Sequence, residues 1–347
     1  MLRNALLHPV SVFVLLATGT LLCEAARLSS TQPDNAELAA ASRRSLLATT
    51  KQFHNKLLFD AACNNDIGKL KRAINKGGDI EFTTSEGFTP LIKASALGHL
   101  EVIKVLLKSG ADIDARTKLG FSAFLVAAQE GHEKIVKFLL AKGVDIDQRT
   151  DEGATALYVA SESNSKGALA MLLEKGADVD AVFTKTGATP LHIAAETGHF
   201  DIAEQLIKAG ASISARNNEG FQPLHKAATF AGAKTVKVLL DGGTNINSKS
   251  PAGDTALNLA AYYGNELVVL ELLERDADWK VTNKDGKRPD ERICGCLREE
   301  SAGPCRCFSD EDEADIEEIF DETECEDAGG FKRARCKASE FFGSIFG

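Results

Sequence analysis

The stretch TPLHIAAETGHFDIAEQLIKAGASISARNNEG, Thr189–Gly220, decides the fold because most of the chain repeats it. TPLIKASALGHLEVIKVLLKSGADIDAR starts at Thr89, and TALYVASESNSKGALAMLLEKGADVDAV starts at Thr155. Further copies begin at Ser122, Gln222 and Thr255, and a degenerate one, KLLFDAACNNDIGKLKRAINKGGDIEFT, begins at Lys56. From Lys56 on the steps are 33, 33, 33, 34, 33 and 33 residues. A fixed period of this length marks a stacked-repeat architecture, here with seven units over 51–287.

Each unit has a physical reading. Thr189 suits a helix N-cap, where its hydroxyl accepts from an otherwise orphan backbone N–H. Pro190 suits the first helical turn, where its missing N–H removes nothing. Ala194 and Ala195 let helices approach closely, and Gly198 ends the helix in a left-handed conformation. A second helix follows, with Ile202, Leu206 and Ile207 on one face, and Gly210 stops it. The polar run ending at Gly220 suits an outward turn. One unit cannot bury its apolar face alone, so the copies share their interior because each interface repeats the last.

GATPLHIAAETGH (Gly187–His199) and GADIDA (Gly110–Ala115) resemble the ankyrin repeat signature over roughly two-thirds of the chain. The resemblance implies an all-α solenoid of stacked helix–turn–helix units with protruding β-hairpin loops, and it implies protein binding without catalysis. Lys56 and Leu57 replace Thr-Pro, which fits a capping unit. Asp290 falls where the motif wants a buried leucine, so the array is expected to end near there. Asn164 stands for the usual glycine of the fourth unit, and Phe183 is an insertion, so that unit is expected to be the least regular.

The formal net charge of −10 argues against nucleic acid, which calls for a basic stripe. MLRNALLHPVSVFVLLATGTLLCEAARLSS opens the chain with one arginine, an apolar run from Val10 to Cys23, and small residues at Cys23 and Ala25. Residues 1–25 are read as a secretory signal peptide cleaved after Ala25. A signal anchor is the rival, because residues 4–23 carry no formal charge and membrane contact follows if they stay uncleaved. A two-part organelle address using ASRRSLLATTKQ is the third reading. Residues 26–50 are expected to form a flexible linker.

The last span, 288–347, is an acidic cysteine-rich tail. Of the eight cysteines, six gather there: Cys294, Cys296, Cys305, Cys307, Cys325 and Cys336. Behind a signal peptide an even set reads as a disulfide framework of open connectivity. Zinc among four thiolates and plain free thiols are the alternatives. The run Ser309–Asp327 is acidic with one short apolar face, and Asp315 stands where a calcium loop needs glycine. The end, FKRARCKASEFFGSIFG, is basic and then apolar, suited to folding back, to a membrane or to a partner.

No catalytic constellation emerges, and no cofactor or metal is expected. His192 and His225 follow the PL of the signature, and His99, His132 and His199 lie in the GH at the helix turn. Specificity in such an array belongs to the positions that vary. After the loop glycine stand Phe88, Phe121 and Phe221. After the small pair stand Glu130, Glu162, Glu196, Phe230, Tyr262 and Tyr263. Arg116, Arg149, Arg216 and Lys249 form a basic lane. These positions predict a groove with an acidic middle and an aromatic C-terminal end that contacts a partner protein, unless the tail covers the aromatics.

Overall fold

The computed structural model describes residues 35–230 and 232–289 of the 347-residue chain. The chain divides into two compact units, Met1–Thr50 and Lys51–Gly347. In the first, the chain is helical from Asn35 onward, so the segment expected to be a linker is helix over its second half. NAELAAASRRSLLATT is rich in Ala, Leu and Arg and has neither Gly nor Pro, so helix propensity prevails there.

In the second unit the helices come in pairs. The helix α1 (Asn35–Cys63) enters it and is followed by α2 (Ile67–Asn75). The next pairs are α3 (Pro90–Ala96) with α4 (Leu100–Lys108), and α5 (Ala123–Gln129) with α6 (Glu133–Leu140). Then come α7 (Ala156–Glu162) with α8 (Lys166–Glu174), and α9 (Pro190–Thr197) with α10 (Phe200–Lys208). The series ends with α11 (Pro223–Phe230) and α12 (Ala233–Asp241), then α13 (Ala256–Tyr262) and α14 (Glu266–Glu274). The first helices α3, α5, α7, α9, α11 and α13 pack in series, and α6, α8, α10, α12 and α14 do so behind them. No helix among the described residues is long and apolar enough to cross a membrane, and residues 4–23 lie outside them.

Local signals act as their chemistry requires. Thr89, Ser122, Thr155, Thr189 and Thr255 each accept from the backbone N–H three residues on. Gly198 caps α9 at φ 79°, and Asn164 adopts the same left-handed region at φ 57°. Ile202, Ala203 and Leu206 are fully buried, and Ile207 is half-buried beside them. The inserted Phe183 has a packing role: its ring stacks on Tyr158 at 4.8 Å, and Tyr158 stands where the next two units carry a histidine.

The loops expected as β-hairpins are tighter than that. Among the described residues no strand forms, and only isolated antiparallel bridges close loops, as between Arg116 and Ser122. Each loop is a four-residue turn held from within, except the loop with the inserted Phe183, where Gly187 N–H reaches Phe183 O four residues back. Gly120 N–H donates to Thr117 O at 3.0 Å, and Thr117 Oγ1 accepts from Phe121 N–H at 3.1 Å. Such a turn leaves too little chain for a ladder, so its backbone bonds to its neighbour instead: Lys118 N–H to Glu86 O (3.1 Å) and Lys284 N–H to Ala252 O (3.0 Å). Gly120, at φ +77°, is required twice over, because a Cβ there would strain the backbone and collide with Asp151 of the next turn.

Candidate functional site

Many repeated polar residues turn out to lock adjacent units together. The turn histidines His99, His132 and His199 reach the carbonyls of Cys63, Ala96 and Glu162 at 2.9–3.0 Å. Ser165 and Asn265 do the same work in their units, reaching Gln129 O and Ala228 O. His192 Nδ1 accepts from Thr189 N–H, so its Nε2 carries the proton and donates to Phe221 O at 2.9 Å. His225 repeats this, accepting from Gln222 N–H and donating to Ser248 O at 3.1 Å. Burial lowers the pKa of both imidazoles from the usual histidine value, that of His225 to about 4.

The basic lane is likewise structural. Arg116 donates to the carbonyls of Gly120 and Arg149, Arg149 to those of Gly153 and Val182, and Arg216 to those of Gly220 and Lys249. Lys249 donates to Thr282 O at 3.1 Å. Each cation bridges its own turn to the next, so the lane is not an open charged track.

The varied positions separate into two groups. Phe88, Phe121 and Phe221 are half-buried and packed against the core, with Lys93 over the Phe88 ring and Lys226 over the Phe221 ring. All three are less exposed than Phe230. The positions after the small pair form a row along the C-terminal ends of the first helices. Glu130 is exposed, and Glu162 and Glu196 are half-buried. Lys226 lies 3.7 Å from Glu196 and 3.2 Å from Glu219. Phe230, Tyr262 and Tyr263 end the row, 62%, 41% and 49% exposed. The rings of Phe230 and Tyr263 are 6.4 Å apart, and Tyr262 meets Tyr263 edge-on at 5.0 Å. The structure thus brings these three together as one patch.

Two features escape a reading of the sequence one residue at a time. Lys226 sits between Glu196 and Phe230, over both the Phe221 and Phe230 rings. Leu267 is 69% exposed on α14, where the other second helices carry Gly68, Glu101, Lys134, Gly167, Asp201 and Lys234. Column-wise comparison of the copies exposes that substitution. Among the described residues no group of three or more His, Cys, Asp or Glu is placed to hold a metal ion. The six tail cysteines Cys294, Cys296, Cys305, Cys307, Cys325 and Cys336 lie outside the described residues.

A family model described as ankyrin repeats (3 copies) matches at residues 22–117, 58–150, 124–217, 179–250 and 210–285. The chain belongs to the ankyrin repeat family. No curated protein matches it. Among solved structures the array is similar to the ankyrin repeat domain of human ASB11, at 26% identity and a TM-score of 0.57. That match covers 64% of this chain and 98% of the other. An ankyrin array of this kind is a protein-interaction scaffold, and its turns, caps and interlocking histidines account for the shared residues.

Proposed function

We propose that this ankyrin protein is a non-enzymatic scaffold that binds a partner protein along the concave face, through the row from Glu130 to Tyr263. One observation carries the reading. Large aromatic side chains stand exposed together at Phe230, Tyr262 and Tyr263, positions where the third to fifth units hold Gln, Glu, Ser and Thr and the second unit holds Ala96 and Leu97. Exposed aromatics are the residues that anchor interfaces, and a cluster desolvates more readily than a lone ring. The acidic side chains upstream favour a partner with cationic groups and steer its approach. Affinity capture with the full chain tests this: Tyr262→Ala should lose the bound protein, while Lys208→Ala on α10 retains it. Equal recovery from both variants contradicts the reading.

The proposed setting is the secretory pathway, with residues 1–25 removed and the tail cysteines paired. The apolar run Val10–Cys23 and the clustering of six cysteines after the array support it. Intact mass with thiol alkylation of natively expressed protein reads both features together. A mass that retains residues 1–25, with every tail thiol alkylated, would instead support an adaptor tethered through residues 4–23.

A further inference from the structure

We infer that the chain's own segment Phe331–Phe342 occupies the acidic-to-aromatic row, so that a partner must displace it. The inference rests on the reading of that row as the binding face.

The row has a direction. Glu130, Glu162 and Glu196 come from the third, fourth and fifth units, Phe230 from the sixth, and Tyr262 and Tyr263 from the seventh. It already holds one cation in the manner required. Lys226 Nζ lies 3.2 Å from Glu219 and 3.7 Å from Glu196, and within 5.5 and 6.0 Å of the Phe221 and Phe230 ring centroids. A carboxylate beside an aromatic face is a site for lysine and arginine side chains.

The tail carries the complementary order. Lys332, Arg333, Arg335 and Lys337 stand within seven residues, and Phe341 and Phe342 follow. Packed helices lie about 8–10 Å apart, so two units separate Glu196 from Tyr262 by about 20 Å. The six steps from Arg335 to Phe341 span about 20 Å when extended. Cations on the acidic units therefore put the phenylalanines on the aromatic units. The connection is long enough: about forty residues join Pro289 to Phe331, and even with a disulfide closing Cys294 to Cys325 the remaining steps extend about 35 Å.

Tethering favours this occupant over a free peptide of the same composition. A linked segment acts at an effective concentration of about 1 mM, so a contact with a dissociation constant near 0.1 mM is about nine-tenths occupied. A competing partner would then bind about tenfold more weakly to the intact chain than to one whose segment cannot dock.

Photo-cross-linking of the full-length chain tests the inference, with benzoylphenylalanine in place of Tyr262 and, in a second protein, in place of Phe230. Mass spectrometry of the dilute, irradiated protein should find an intrachain link to residues 331–342. The link should disappear when Lys332, Arg333, Arg335 and Lys337 are changed to Glu. A link to the acidic run 309–327, a link joining two chains, or no link from either position overturns it. If the intrachain link forms but charge reversal leaves partner capture unchanged, the row is a tail-docking face and the partner reading fails instead.

Discussion

The Arg149 guanidinium donates to the Val182 carbonyl oxygen 2.6 Å away, thirty-three residues on, while also holding Gly153 O of its own turn at 3.0 Å. One side chain thus fastens two turns. Arg149→Ala should lower unfolding free energy by about 1–3 kcal/mol, the range for hydrogen bonds from a charged donor. Arg149→Lys should recover part of this, since Lys249 makes one such bond in its own unit. Denaturant titration measures both. An unchanged midpoint for Arg149→Ala would return this residue to the binding surface.

Stability should fall as the solution becomes mildly acidic. Above pH about 6.5 His192 and His225 are neutral in both folded and unfolded chains, and no penalty arises. As pH drops through that value the unfolded chain takes up protons that the folded rings refuse. Both folded values are depressed, His225 to about 4, with burial the largest cause. The unfolded state then binds more protons, which favours unfolding. At one unit below 6.5 the loss for His225 is about 1.4 kcal/mol, and it grows until its folded value is reached. His192→Asn with His225→Asn should flatten this slope between about pH 7.5 and 5.5, because Asn258 shows that asparagine accepts the same cap bond. Identical slopes for the two proteins would contradict the assignment.

Asn258 also marks a correctable defect. Its Oδ1 accepts from Thr255 N–H at 3.0 Å, but its buried Nδ2 has no hydrogen-bond partner. His192 and His225 use the longer imidazole at this position to reach a carbonyl of the following turn. Asn258→His should therefore stabilise the protein by about 1 kcal/mol, visible as a raised melting temperature. A lower melting temperature would mean that the last turn presents no carbonyl within reach.

How much of this was legible follows from what spacing encodes. The period, the threonine caps, Gly198 and the left-handed Asn164 are local events, fixed by a few adjacent residues, and they stand where the sequence puts them. The destinations of side chains along the stack are not local. Arg116, Arg149 and Arg216 look like a charged lane in sequence, because nothing in spacing reveals that each guanidinium turns toward the next carbonyl. Phe88, Phe121 and Phe221 share the composition of interface anchors with Phe230, yet they are half-buried against the core while Phe230 is exposed. What separates them is orientation on the turn, which a list of varied positions does not carry. The pairing of Phe183 with Tyr158 is a tertiary compensation between two departures that the sequence shows separately.

The most direct test of the binding surface is an affinity titration of the captured partner against three full-length variants, with melting temperatures alongside. Truncating a real aromatic anchor removes about 2 kcal/mol or more, so Tyr262→Ala should weaken binding by about thirtyfold at unchanged melting temperature. Glu162→Ala should give a modest, salt-dependent change, and Lys208→Ala none. If Tyr262→Ala leaves affinity intact and lowers only the melting temperature, the aromatic patch is structural and the proposed binding face is wrong.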